Sequence, residues 1–388
     1  MVVVSTFAVA APAPAAPPVW RVLPEFLYFA ALSGATGGAG TYALTVGPAL
    51  RHGPAAAPTI TRKAAAGLGA LGLVLVVALW LQLAATVAGS AKGMPFGPAL
   101  SPAAIATYVG KPAADGEWLA SGVLTAVQFA IYLAAALVLA ALLVPATRAR
   151  VRGLAGSAAV LAVVGTAVGA VPTSGSGVAK VLGGVFTQLH VLGGTTWLGG
   201  LGMLAGLAVA ARHAPGAGDV WAVVWAWFST LAMAAVGLVL VSGLWLLWMH
   251  VGTPAELLTT TYGRFLLIKL VLVLAMLIAG ALNQLSLLPR IARVRRIDPD
   301  GTSLLRLTLR HFPRVVALEV LLGLAVLVIV PFLSGSARKQ AGETGSPEVD
   351  VSVLLIGVLF AAMLVVSFVA AARLGDRLGR RVPAESAI

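Results

Sequence analysis

An all-α, polytopic helical membrane protein is what this chain predicts, and three observations carry the prediction. Hydrophobic residues make up 60% of the 388 positions and charged residues only 10%, with a mean hydropathy of +0.99. That balance leaves too little polar residue to build a water-facing surface. The apolar residues fall into about nine runs, each near the ~20 residues that cross a ~30 Å hydrocarbon core. Basic residues, finally, crowd into alternate connections between those runs.

In order, the runs lie at about 22–50, 64–88, 119–144, 151–171, 181–210, 221–249, 263–288, 314–334 and 351–373. With the N-terminus outside, the inward connections hold 18 of the 26 Lys and Arg residues. The outer face then holds seven, Arg21, Lys92, Lys111, Lys180, Arg264, Arg338 and Lys339, and Lys269 falls inside a run. Short loops rich in Lys and Arg stay cytoplasmic, so the expected orientation is N-outside and, with an odd number of spans, C-inside. This distribution also accounts for the net charge of +13 through the lipid bilayer, without a nucleic-acid partner. Cysteine is absent, which excludes disulfides and thiolate metal sites.

The segment Met1–Pro18 has no basic n-region and is expected as an outer tail rather than a cleaved signal peptide. In span 1 Gly34 and Gly38, and in span 5 Gly202 and Gly206, have the small-xxx-small spacing that lets helices approach closely. Trp221, Trp225 and Trp227 at one end of span 6, with Trp245 and Trp248 at the other, fit two interfacial aromatic belts. The inner connection 289–313 joins a basic run to a short amphipathic piece, 303–312, suited to anionic lipid.

Three ionisable residues interrupt the apolar runs: His190, Lys269 and Glu319. Each costs roughly 2.5–3.5 kcal/mol at the membrane centre, so such groups persist facing a bundle interior. His190, Gly194 and Trp197 share one face of span 5. His190 reads either as a hydrogen-bonded neutral histidine or as a metal ligand or proton acceptor. Met249 and His250 close span 6 at the outer side, and Met94 lies in an outer loop. Thioether and imidazole suit copper, although packing and interfacial roles fit the same residues. Met233 and Met276 fall within a turn or two of the His190 level, as core filler or as partners of His190 around a metal.

Span 7 opens with Tyr262 and Arg264. Arg264 can snorkel to the headgroups, whereas Lys269 lies deeper and would take Glu25, Glu256 or a backbone carbonyl as partner. A cation there repels copper, which makes Lys269 structural or gating rather than a ligand. Asn283 needs an interhelical partner. In span 8 Glu319 either pairs with Arg314 or Arg310 or accepts a proton or metal on an exit path.

Span 5, with His190, Trp197, Gly199 and Gly200, resembles a stretch of the copper resistance protein D (CopD) family. So do the Ser-Gly of span 6, the Thr-x-Tyr-Gly-Arg and Leu-Leu-x-Lys entry to span 7, the Asn283…Pro289 exit, and Arg314 with Glu319 in span 8. The resemblance covers roughly 181–335. It implies a copper-handling protein of the bacterial plasma membrane that imports or transfers copper ions. It also implies an extracytoplasmic copper chaperone or cuproenzyme as a partner. The chain then divides into an outer tail 1–20, helices 1–4 over 21–175, a CopD-like core over 176–335, and 336–388 with the last helix and a basic tail. Two other readings stay open: a docking or assembly protein that moves no copper, and a proton-coupled transporter of another solute. No haem is expected, because bis-histidine ligation needs two histidines at matching depth on facing helices, and with His190 central, His250 outer, and His52, His213 and His311 inner no such pair is evident. Nor does any nucleophile–base pair or phosphate-cradling loop point to an enzyme.

Overall fold

A computed structural model describes residues 17–51, 54–90, 94–175, 177–211, 214, 217–282, 312–343, 347 and 349–380. The protein is all-α; among the described residues the only β-type pairing is a lone bridge between Glu117 and Ser174. Helix α1 (Val19–Ser33) continues through π-helical Gly34–Gly38 and Tyr42–Val46 to Gly47–Ala49. There follow α2 (Ala57–Ser90), α3 (Ser121–Ala140), α4 (Val151–Val168), α5 (Val178–Ala210), α6 (Ala217–His250), α7 (Thr261–Leu282), α8 (Phe312–Ile329) and α9 (Val351–Arg380). Eight helical segments among the described residues are long and apolar enough to cross a membrane. The expected first span is α1 with its continuation, which the two π turns divide. Asn283, the connection 289–313 up to residue 311, with Arg310 and His311, and His52, His213 and Lys92 lie outside the described residues, as does the side chain of Arg314.

Helix α5 is the centre of the bundle, in contact with α1, α2, α4, α6 and α8. Glycines decide how closely its neighbours come. A Cβ on Gly193 would sit 2.8 Å from the Ala235 carbonyl oxygen and 3.1 Å from the Val239 nitrogen, backbone atoms of α6. One on Gly199 would collide with the Ser33 carbonyl and come 2.8 Å from the Gly38 nitrogen of α1. The first π turn, Gly34–Gly38, is therefore packed backbone-to-backbone on α5, while the second, Tyr42–Val46, lies against α4 and α6. Of the expected glycine pairs, Gly34 meets Leu71, and Gly38 meets the Gly199 carbonyl oxygen at 3.3 Å. Gly202 and Gly206 have nothing within 4 Å of a Cβ position, so they do not seat a helix.

In the N-terminal half, Gln128 Nε2 donates to the Gly165 carbonyl at 2.9 Å, and Tyr132 and Thr166 share a hydroxyl–hydroxyl bond at 3.0 Å. These bonds pin α3 to α4 and satisfy polar groups that hydrocarbon would leave unpaired. The aromatic belts are corrected in part. Trp221, Trp225 and Trp245 are buried in the bundle, and Trp227 alone of the inner trio is exposed. Trp245 stacks on Phe186 with centroids 4.7 Å apart, so packing against α5 overrides the interfacial position that composition favours.

Helix α9 is peripheral: its membrane-length window is unburied, and Phe368 lies 3.1 Å from a Cβ position on Gly237 of α6. Asp350 caps it, Oδ1 accepting from the Val353 N–H at 2.9 Å and from the Ser352 hydroxyl at 2.7 Å. The Val353 amide, then the Ser352 hydroxyl, hold the Asp350 carboxyl below its ordinary value. A depressed carboxyl pKa contributes stability above the unfolded value and loses it as pH falls through the folded one. The protection of amides in the first turn of α9, taken relative to their intrinsic exchange rate at each pH, is accordingly expected to fall as pH drops below the usual Asp range. An Asp350→Asn variant keeps a capping oxygen and should flatten that dependence.

Candidate functional site

His190 sits on α5 facing α6, where its partner is Ser242. Ser242 Oγ donates to the Leu238 carbonyl at 2.5 Å, which commits the single hydroxyl hydrogen. Toward His190, whose Nδ1 lies 3.2 Å away, Ser242 can offer only a lone pair. With that hydrogen on Leu238, the neutral imidazole carries its proton on Nδ1 and its lone pair on Nε2. Close approach of α6 at Gly193 makes the Ser242 contact possible. Gly243 leaves room for the ring, since a Cβ there would stand 3.3 Å from His190 Cε1. The Ser242-Gly243 pair thus has a job for each residue.

The second described histidine follows the same rule. His250 Nδ1 is 2.8 Å from the Leu246 carbonyl. A carbonyl only accepts, so Nδ1 carries a proton, and in the neutral ring the lone pair is on Nε2. Its ring stacks on Tyr262, centroids 5.9 Å apart and 9° from parallel. Tyr262 is positioned by the turn that opens α7. Its N–H donates to Gln340 Oε1 at 3.0 Å, Thr260 Oγ1 accepts from the Gly263 N–H at 2.9 Å, and Arg264 Nε donates to the Leu258 carbonyl at 2.8 Å. A side chain at Gly263 would come 2.6 Å from Leu257 Cα. The Thr-x-Tyr-Gly-Arg run is therefore a turn that fixes Tyr262 against His250, with Arg264 serving as a carbonyl cap.

Other acidic and basic groups fall into place around these two rings. Glu256 is buried and accepts from the Gly252 N–H at 2.9 Å and the Thr253 N–H at 3.1 Å; it is a loop brace rather than a partner of Lys269. Lys269 is half-buried on α7, close enough for its charge to act on His190. Among the described residues it has no hydrogen-bond or ion-pair partner. Arg338 pairs with Glu343 at 2.8 Å and donates to the Trp248 carbonyl at 3.3 Å, which straps the loop before α9 onto the end of α6.

The methionines do not gather around His190. Met276 is buried, its Cε 3.4 Å from a Cβ position on Gly323, a position that Leu198 also contacts. Leu198 is eight residues past His190, about 12 Å along α5 at 1.5 Å per residue. Met233 is nine residues before Ser242, about 14 Å along α6 by the same rise. Neither shares a coordination shell with His190. Met94 packs with Trp20 and Phe96 in a small separate cluster, Met249 is half-buried beside His250, and Trp197 is buried one face-repeat below His190. Glu319 is buried on α8 one turn from Gly323 and has a partner. Among the described residues no group of three His, Asp or Glu side chains converges as a metal site. Ser242, Gly243 and Gln340, which position the two rings, carry no signal of their own in the sequence beyond the Ser-Gly pair.

Membrane-length helices packed around two partly buried imidazoles define a multi-pass membrane protein. Residues 222–333, from α6 through α7 and α8, match the family described as Copper resistance protein D. The matched segment holds Ser242, His250, Tyr262, Lys269 and Glu319 but stops short of His190. No curated protein and no solved structure matches the chain.

Proposed function

We propose that this protein takes up copper ions at its outer face and passes them through the bundle toward the cytoplasm of a bacterial cell, with its N-terminus outside. The observation that carries this reading is the pair of Nδ1-anchored histidines. A ligand imidazole normally has its other ring nitrogen tied to an acceptor, which fixes ring and tautomer for coordination, and α6 supplies that acceptor for both. His250 with Met249 forms the outer mouth, and Tyr262 holds the His250 ring. About 12 Å deeper by helix rise, His190 is the next donor. Beyond it along α7 and α8 come Met276 and then Glu319, soft thioether before carboxylate. Single donors spaced a little over two turns apart suit transit, whereas a closed cage would retain the ion. Lys269 beside His190 limits how long a cation dwells there.

Copper uptake into sealed proteoliposomes tests this reading against the docking alternative. With the protein oriented in the vesicles, external Cu(I) is expected to enter the lumen faster than into protein-free vesicles, and Glu319→Gln should slow entry while leaving surface-bound copper in place. Copper that binds the protein but never reaches the lumen would favour docking.

A further inference from the structure

A second feature lies away from the histidines, on the opposite flank of α5. A cavity of about 390 Å³ runs between α1, α2, α5 and α8. Its walls are apolar except for Ser33, whose hydroxyl is taken by the Phe29 carbonyl at 2.7 Å, and Lys63. Lining residues on α5 extend from Leu198 to Ala210, about 18 Å at 1.5 Å per residue. One leaflet of a ~30 Å hydrocarbon core is about 15 Å deep. The groove is thus as long as one leaflet and parallel to the helices. Lys63 marks the Ala210 end, at the start of the apolar run of α2. It is exposed, and among the described residues its ammonium has no partner. The space is real: Gly67, Gly202 and Gly206, all lining it, have nothing within 4 Å of a Cβ position.

We propose that this groove holds an acyl chain of an anionic phospholipid whose phosphate rests on Lys63. Charge and shape select this occupant together. Water gains nothing in an apolar channel, and a basic residue at the polar end of an interhelical groove is where an acidic headgroup is recognised. The lipid would fill the space between α2, from the half without a family match, and α8 of the matched segment.

Native mass spectrometry of the full chain, equilibrated with equal amounts of phosphatidylglycerol and phosphatidylcholine of identical acyl chains, tests the proposal. Wild type is expected to retain phosphatidylglycerol about fivefold over phosphatidylcholine, as one basic residue at an anionic surface gives. Lys63→Gln should erase the preference. Gly67→Leu combined with Gly206→Leu should abolish retention, while Gly153→Leu, which also faces open space but lies off the groove, should not. Excess inorganic phosphate should leave the lipid adduct intact. Equal retention of both lipids by wild type, an adduct that survives filling of the groove, or displacement by phosphate alone would overturn it.

Discussion

Gly199→Val is expected to be the most destabilising single substitution in the bundle. The side chain has no direction in which to relax, because the atoms it meets are the Ser33 carbonyl and the Gly38 nitrogen of α1 rather than the tip of a flexible residue. Either α1 moves off α5, or its π turns are redrawn. Overpacking of a close-packed interior costs typically about 1–3 kcal/mol and occasionally more, and a backbone-to-backbone contact belongs at the upper end. Thermal unfolding in detergent is the measurement, with Gly202→Val as control. Gly202 lies three residues on, in the same helix, with open space around its Cβ position. The two variants have equal helix-propensity changes, so a large fall in melting temperature for Gly199→Val alone isolates the contact. Equal falls would mean that valine's effect on the helix, and not the α1 contact, sets the loss.

The second large effect is on copper. After loading with Cu(I) and washing, wild-type protein is expected to retain metal that His190→Ala loses, measured by inductively coupled plasma mass spectrometry. Ser242→Ala tests the tautomer argument separately. It leaves the imidazole in place but removes the acceptor that holds its proton on Nδ1, and loss of such a support typically lowers metal affinity about 10–100-fold. Lys269→Met removes a neighbouring positive charge and should shift retention the other way. If His190→Ala and Ser242→Ala both retained copper like wild type, the imidazole would be a structural hydrogen-bonding group and the transit reading would lose its central donor.

Much of this was legible in the residues. Hydropathy marked where the long apolar helices lie because a ~30 Å apolar slab imposes helix length directly on the sequence. The π turns were not legible: Gly34 and Gly38 read as an ordinary close-packing pair, and only contact with α5 reveals the altered winding. The His190–Met233–Met276 grouping relied on depths counted from estimated span ends, and the contacts of His190 with Ser242 and of Met276 near Leu198 and Gly323 put both methionines more than two turns from His190. The aromatic-belt reading of Trp221, Trp225 and Trp245 failed for a related reason, since an indole near a helix end can turn inward when a neighbour such as Phe186 offers it a stacking surface.

Composition and periodicity alone determined that this chain is a helical membrane protein, and they marked His190, Lys269 and Glu319 as residues that hydrocarbon tolerates only for a reason. Tertiary structure decided which groups meet them. Ser242 lies 52 positions from His190, and its hydroxyl hydrogen is claimed by its own helix. That local bond turns a distant serine into an acceptor and places the lone pair of the neutral ring on Nε2, a consequence of three-dimensional adjacency that no spacing along the chain encodes.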